Sequence, residues 1–98
     1  MSILTEQQIR QALASLPGWS CEPQGLCRRF VFRDFVQAFG FMTQVALLAE
    51  RAGHHPDWRN SYKTVDISLY THEAGGITGK DLALAREIQR IAEAQVGD

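Results

Sequence analysis

The apolar residues near the start of the chain recur at helical spacing and then give way to a hairpin pattern. Thr5 and Gln8 match a capping box, which predicts that a helix begins after Thr5. The apolar face of this helix consists of Ile9, Ala12, Leu13 and Leu16. Pro17-Gly18 ends it. Residues 19–21 and 26–32 then flank the turn sequence Glu22-Pro23-Gln24-Gly25, which predicts a β-hairpin.

The rest of the chain predicts a long helix, an alternating strand and a final helix. Asp34 is placed to cap a helix of about four turns that ends at Gly53. The predicted apolar face of this helix comprises Phe35, Ala38, Phe39, Met42, Val45, Ala46 and Ala49. Residues 62–71 alternate with period two, which is typical of a half-buried strand. Thr78 and Asp81 resemble a second capping box and predict the start of the last helix.

These elements predict an α+β two-layer sandwich, in which an antiparallel sheet has helices packed on one face. The expected order is α-β-β-α-β-α, with one further short strand expected near Trp58. At 98 residues, without an internal repeat or linker, residues 1–98 are expected to form a single domain. A domain of this size buries only about 60–65% of its unfolded surface, so oligomerisation would be a natural supplement.

Composition and charge argue against several functional classes. The formal net charge is -1 with both signs interspersed, so the basic stripe that nucleic-acid binding requires is not found. No apolar run approaches the ~20 residues of a membrane-spanning helix. The first residues do not resemble a signal peptide, and we expect a cytoplasmic protein. Cys21 and Cys27 are accordingly expected to be reduced, although a disulfide across the hairpin is geometrically feasible.

All three histidines lie at the ends of predicted elements, where binding groups usually collect. His54 and His55 stand between a helix end and Pro56, and His72 precedes a glycine-rich loop. Histidine gains and loses protons near neutral pH, so the three are candidate acid/base residues. The adjacent His54 and His55 would diverge from a single ion, and we expect no metal. Because polar residues at loop ends contribute little to a core, folding is expected to survive replacement of any of them.

Two carboxylates are candidates for supporting this cluster. Glu50 lies about one helical turn before His54 and would either approach it or face water. Asp81 is at the third position of the last helix, where a carboxylate satisfies free backbone amides. It is also on the buried-facing side of that helix, so a capping role and a site role are compatible.

The chain contains the spaced pattern Glu50-x3-His54-His55-Pro56-x5-Tyr62-x9-His72-x8-Asp81. This pattern resembles the signature of the pterin-4a-carbinolamine dehydratases, and the resemblance covers essentially the whole chain. It implies an antiparallel sheet backed by helices that assembles into homodimers or homotetramers. It also implies dehydration of 4a-hydroxytetrahydrobiopterin, or a related pterin, to the quinonoid dihydropterin. That reaction recycles the cofactor of aromatic amino acid hydroxylases such as phenylalanine hydroxylase.

The resemblance also implies roles for individual residues. His54 and His72 would transfer protons and His55 would orient the pterin, with no cofactor required. The pocket would be lined by Pro56, Thr71, Glu73 and Ala74. Trp58 would either stack on the flat pterin or belong to the core. Animal members of the family also act as dimerisation cofactors of a homeodomain transcription factor. A binding role of that kind, or a regulatory pterin-binding module, is therefore the alternative to an enzyme.

Overall fold

The computed structural model describes residues 2–96, which form three helices and a four-stranded antiparallel sheet. The elements are α1 Glu6–Leu13, β1 Ser20–Glu22, β2 Gly25–Val31, α2 Phe35–Ala52, β3 Asp57–Ser61, β4 Thr64–Leu69 and α3 Gly79–Val96. This arrangement confirms the predicted α+β class. The short strand expected near Trp58 is β3.

Local side-chain chemistry explains where the helices begin and end. Thr5 and Gln8 form the predicted capping box, each side chain accepting the backbone N–H of the other residue. Asp34 caps α2 by accepting the N–H of Gln37. Gly53 ends α2 in the left-handed conformation, at a φ of 66°, where glycine has no Cβ penalty. Within residues 2–96, no helix is both long and apolar enough to span a membrane.

The sheet has the order β1-β2-β4-β3, and within residues 2–96 its fully buried side chains lie on one face. The residues that point toward the helices are buried, and they include Leu26, Phe30, Val65, Ile67 and Leu69. The residues that alternate with them point away from the helices and are more exposed. The alternation predicted for β4 is therefore the one observed.

The face of α2 that packs on the sheet differs from the predicted one. Phe41 is fully buried, and its ring lies 4.7 Å from that of Phe32. Phe35 and Phe39, which were predicted to be buried, are 46% and 54% exposed. Ala46 is exposed as well. Because α2 is apolar on most sides, two overlapping stripes satisfy helical spacing, and only packing against the sheet selects between them.

The two cysteines lie on opposite faces of the β1–β2 hairpin. Cys27 is opposite Ser20, whereas Cys21 is opposite Leu26, and successive strand residues point to opposite faces. This register excludes a disulfide, and both cysteines are free. Burial raises the pKa of the Cys27 thiol above its ordinary value, and a hydrogen bond with Ser68 partly offsets that effect.

Candidate active site

His54 is held in a buried position by the way α2 ends. Gly53 turns the chain at the helix terminus, and the N–H of His54 donates to the carbonyl of Ala49 over 3.1 Å. The imidazole then points inward, with Nε2 lying 2.5 Å from Oδ1 of Asp81. The two side chains are only 8% and 0% exposed. A hydrogen bond to a charged group is strong in such a shielded place, so His54 has one defined orientation.

Asp81 uses its second oxygen for two further contacts. Oδ2 accepts a hydrogen bond from the hydroxyl of Thr71 at 2.8 Å and from the N–H of Thr78 at 2.9 Å. The bond from Thr78 is the capping contact expected at the start of α3. The same carboxylate therefore caps α3, binds His54 and anchors the end of β4.

His55 faces solvent and pairs with Glu50 instead of joining this cluster. Its Nε2 lies 2.8 Å from Oε1 of Glu50, and the two side chains are 65% and 81% exposed. Of the two alternatives expected for Glu50, the structure therefore favours the second, because its side chain faces water and does not approach His54. His54 turns inward toward Asp81, while Glu50 is on the outer side of α2, where it meets His55.

His72 is presented by a tight turn that follows β4. Thr71 forms a bridge with Gly76, and the carbonyl of Thr71 accepts the N–H groups of Ala74 and Gly75. The imidazole of His72 is exposed, with Nε2 3.6 Å from Oδ2 of Asp57. The edge of its ring meets the ring of Tyr70 at a centroid distance of 5.0 Å.

The three histidines border one open cleft of about 390 Å³, a volume in the range of small-ligand sites. The residues that line it are Gly53, His54, His55, Pro56, Asp57, Tyr70, His72 and Glu73. His54 also borders a neighbouring groove between α2 and α3. Among residues 2–96, no three histidine, cysteine or acidic side chains are grouped so that they could hold a metal ion.

The predicted pocket residues fall into two groups. Pro56 and Glu73 line the cleft as expected. Thr71 does not, because it is 1% exposed and gives its hydroxyl to Asp81. Trp58 is opposite the buried Ile67 and packs against the core, which is the second of its two predicted roles. Ala74 lies within the turn and is not part of the lining.

Sequence reasoning missed three residues that the structure places at the site. Asp57 and Tyr70 contact His72, and the hydroxyl of Thr78 bonds that of Thr71. The position of Asp57 beside Pro56 and that of Tyr70 two residues before His72 were signals for the first two. Thr78 was interpreted only as a helix cap.

The identity of the chain follows from a comparison with known families. A sequence model described as "Pterin 4 alpha carbinolamine dehydratase" matches residues 2–91. The chain belongs to the pterin-4a-carbinolamine dehydratase family. The pattern of histidines and carboxylates identified in the sequence, Glu50 to Asp81, lies entirely within this matched region.

Relatives of the same family extend over nearly the whole chain. A provisionally named pterin-4-alpha-carbinolamine dehydratase of Afipia carboxidovorans is 53% identical over 92 residues, covering 92% of each chain. One of Prochlorococcus marinus is 51% identical over 90 residues, covering 92% of this chain and 94% of its own.

Two solved structures share the fold but carry different descriptions. A "transcriptional coactivator/pterin dehydratase" from Brucella melitensis is 44% identical and covers 93% of this chain and 99% of its own, with a TM-score of 0.89. A "pterin dehydratase-like protein" described as a RuBisCO assembly factor of the alpha-carboxysome is 27% identical. It covers 76% of this chain and 86% of its own, with a TM-score of 0.62. The pterin dehydratase fold is thus found in proteins with more than one described role.

Proposed function

We propose that the protein is a hydro-lyase that removes water from 4a-hydroxytetrahydrobiopterin, or from a related 4a-hydroxytetrahydropterin. The observation that carries the proposal is the meeting of His54, His55 and His72 at one cleft in a chain of this family. The product, a quinonoid dihydropterin, would be returned to aromatic amino acid hydroxylases such as phenylalanine hydroxylase.

The reaction requires two proton transfers and no change in oxidation state. The bond between carbon 4a and its oxygen breaks while the lone pair of the neighbouring ring nitrogen forms a C=N bond. The departing oxygen must gain a proton, and that ring nitrogen must lose one. A positioned acid and a positioned base are therefore sufficient, and each such group typically contributes roughly 10²–10⁴-fold in rate.

The cleft offers groups for both transfers. His54 and His72 approach it from the end of α2 and from the turn after β4, so a flat ring between them would have a proton-transfer group on either side. His55 is held by Glu50 at the rim, where it would orient the pterin. Pro56 and Glu73 complete the wall.

The activity test uses freshly generated 4a-hydroxytetrahydropterin, with its dehydration followed by ultraviolet absorbance and corrected for the spontaneous rate. His54→Gln and His72→Ala should each lower kcat by roughly 10²–10⁴-fold. Glutamine can still donate to Asp81, so His54→Gln removes the proton-transfer group while keeping the buried contact. His55→Ala should mainly raise KM, because an orienting residue binds substrate and transition state alike.

Gln7→Ala, an exposed change on α1, is the control and should leave both constants unchanged. If His54→Gln and His72→Ala remain folded and keep near-wild-type corrected kcat, the histidines are not the catalytic groups.

We also infer that two copies of the chain pair through the outer edge of β2. β1 covers only residues 25–27 of β2, so the edge beyond Cys27 has no neighbouring strand within residues 2–96. The N–H of Phe32 donates to Lys63 on the β4 side, over 2.8 Å. Because successive residues alternate, the backbone groups of Arg29 and Val31 point outward. An open strand edge of this kind is a template for pairing with another chain.

This edge is complementary to itself. In an antiparallel two-fold arrangement centred on Phe30, Arg29 of each copy lies opposite Val31 of the other. The N–H and C=O groups of Arg29 and Val31, which point outward, then all form hydrogen bonds with the other copy. If the two-fold axis were centred on Arg29 or Val31 instead, fewer of these four groups would find a partner. The arrangement also places each exposed arginine beside an apolar side chain instead of a second arginine. A second copy is therefore the partner that fits this edge.

A binding role without turnover is the alternative function. The outer side of α2 exposes the large apolar residues Phe35, Val36, Phe39 and Leu47. Isolated apolar residues on a surface are ordinary, but a set along one helix is typical of a contact with another protein. If this alternative holds, the dehydration assay gives no rate above the spontaneous one.

A further inference from the structure

Thr78 and Thr71 form a chain of hydrogen bonds that runs from the backbone N–H of Lys80 to the carboxylate of Asp81. The groups at its two ends decide which atom donates at each step. The N–H of Lys80 points to Oγ1 of Thr78 at 3.3 Å. A backbone amide can only donate, so the Thr78 oxygen accepts there and has its own proton to give. Its oxygen lies 2.8 Å from Oγ1 of Thr71.

The carboxylate fixes the direction at the inner end. Thr71 Oγ1 lies 2.8 Å from Oδ2 of Asp81, and an ionised carboxylate can only accept. Thr71 therefore gives its single proton to Asp81, and the proton between the two threonines comes from Thr78. Each hydroxyl in the chain is left with one orientation.

We propose that this chain holds the neutral His54 in the tautomer that carries its proton on Nε2 and its lone pair on Nδ1. The chain ends at Oδ2 of Asp81, and the other oxygen of this carboxylate, Oδ1, lies 2.5 Å from Nε2 and accepts its proton. Nδ1 has no hydrogen-bond partner within residues 2–96, whereas every fully buried side-chain nitrogen or oxygen there has one. Nδ1 is therefore not fully buried. Nδ1 must then reach one of the two open spaces that His54 borders, the cleft of the three histidines or the groove between α2 and α3, and the proposed function requires that it be the cleft.

This tautomer assigns the roles of the two proton-transfer groups, given the proposed dehydratase function. A neutral imidazole with a free Nδ1 lone pair accepts a proton, so His54 is the base. The acid is then His72, which stands exposed on the turn after β4 and can be reprotonated from solvent. Asp81, Thr71 and Thr78 act on the reaction only through His54 and are positioning residues.

The substitution Asp81→Asn tests the assignment because the backbone fixes how the new amide must lie. The N–H of Thr78 can only donate, so the asparagine oxygen must take the place of Oδ2. The asparagine NH₂ then faces Nε2 of His54, which has to accept and carry its proton on Nδ1 instead. The helix cap survives, since asparagine still accepts the N–H of Thr78.

The measurement is the ¹⁵N NMR spectrum of the His54 ring in the folded protein, which distinguishes the two neutral tautomers without requiring turnover. The wild-type protein should show the proton on Nε2 and Asp81→Asn should show it on Nδ1. In the dehydration assay, Asp81→Asn should lower kcat by roughly 10²–10⁴-fold with little change in KM.

Thr71 provides a matched pair of controls. Thr71→Ser keeps the hydroxyl and should retain the wild-type tautomer and rate. Thr71→Val removes one donor to Asp81 and should lower kcat by roughly 2- to 12-fold, the equivalent of one net hydrogen bond. A wild-type His54 protonated on Nδ1, or a Thr71→Val variant that matches Thr71→Ser in rate and spectrum, would overturn the proposal. Correct tautomers in a protein without turnover would instead refute the dehydratase function alone.

Discussion

The change His54→Ala should destabilise the protein as well as remove a catalytic group, whereas His72→Ala should affect catalysis alone. The difference arises from burial. His54 and Asp81 are 8% and 0% exposed and bonded to each other, while His72 is 73% exposed. The expectation that folding survives replacement of any of the three histidines was based on their lying outside the core, and His54 is buried.

The magnitude follows from what His54→Ala leaves behind. Asp81 keeps its contacts with Thr71 and Thr78 but loses the partner of its other oxygen, and its side chain is 0% exposed in the wild-type structure. Removing one member of a buried pair typically costs about 3–5 kcal/mol. A domain of this size has a total stability of roughly 5–15 kcal/mol, so the loss is between about a fifth of the total and all of it. His72→Ala, an exposed change, should stay within about 0.5 kcal/mol.

Urea denaturation followed by circular dichroism measures the effect. With a slope of roughly 1–1.5 kcal/mol per molar urea, the midpoint of His54→Ala should fall by roughly 2–5 M. Asp81→Asn provides the matched background, because a neutral amide does not leave a buried charge when His54 is removed. His54→Ala should therefore cost at least about 1 kcal/mol less in that background, and a double-mutant cycle isolates the difference.

Two results would contradict this reasoning. One is a cost for His54→Ala of less than about 1 kcal/mol, comparable to that of His72→Ala. The other is an equal cost of His54→Ala in the wild-type and Asp81→Asn backgrounds, which would show that the two side chains are not energetically coupled.

Two further outcomes are expected from the sheet. If copies pair through β2, light scattering at micromolar concentration should give a mass of at least twice 11.0 kDa. Val31→Lys should then weaken the pairing by roughly 2- to 30-fold, because it places like charges opposite Arg29 of the other copy. Val31→Glu, the matched control, should not weaken it, and a wild-type mass near 11 kDa would refute the pairing. For Cys27, burial raises the pKa above the ordinary 9.0, so the folded state favours the thiol. Its stabilising effect is complete below about pH 9 and is lost as the pH rises through the higher folded-state value. The urea midpoint of the wild type should therefore fall more steeply above pH 9 than that of Cys27→Ala, and Cys21→Ala should behave like the wild type. Equal slopes for all three proteins would contradict the assignment.

The features that could be predicted from the sequence are those that short-range chemistry determines. The Thr5–Gln8 capping box, the Asp34 cap and the Gly53 terminus each depend on residues no more than four positions apart. The alternation of β4 arises because one face of the strand is buried. Successive strand residues point to opposite faces, so the sequence itself alternates between apolar and polar residues. The histidine pattern was visible because its members lie at the ends of these same elements.

The features that could not be predicted depend on contacts between distant parts of the chain. Phe41, and not Phe39, enters the core because its ring packs against those of Phe30 and Phe32. The spacing of apolar residues along α2 carries no information about these contacts with the sheet. In the same way, the partner of Glu50 depends on the turn at Gly53, which directs His54 inward and leaves His55 outside. Two adjacent histidines in the sequence thus have opposite environments in the fold.

Asp81 shows why the proposed catalytic geometry and the stability of the fold are coupled on one side of the cleft only. Its carboxylate joins the end of α2, the end of β4 and the first turn of α3, through His54, Thr71 and Thr78. The orientation of His54 therefore follows from a helix cap that the fold needs in any case. His72 and His55 have exposed partners and no such constraint, so their contributions can be removed without a structural cost. Losses of activity at His54 must accordingly be separated from losses of folding, whereas those at His72 can be interpreted directly.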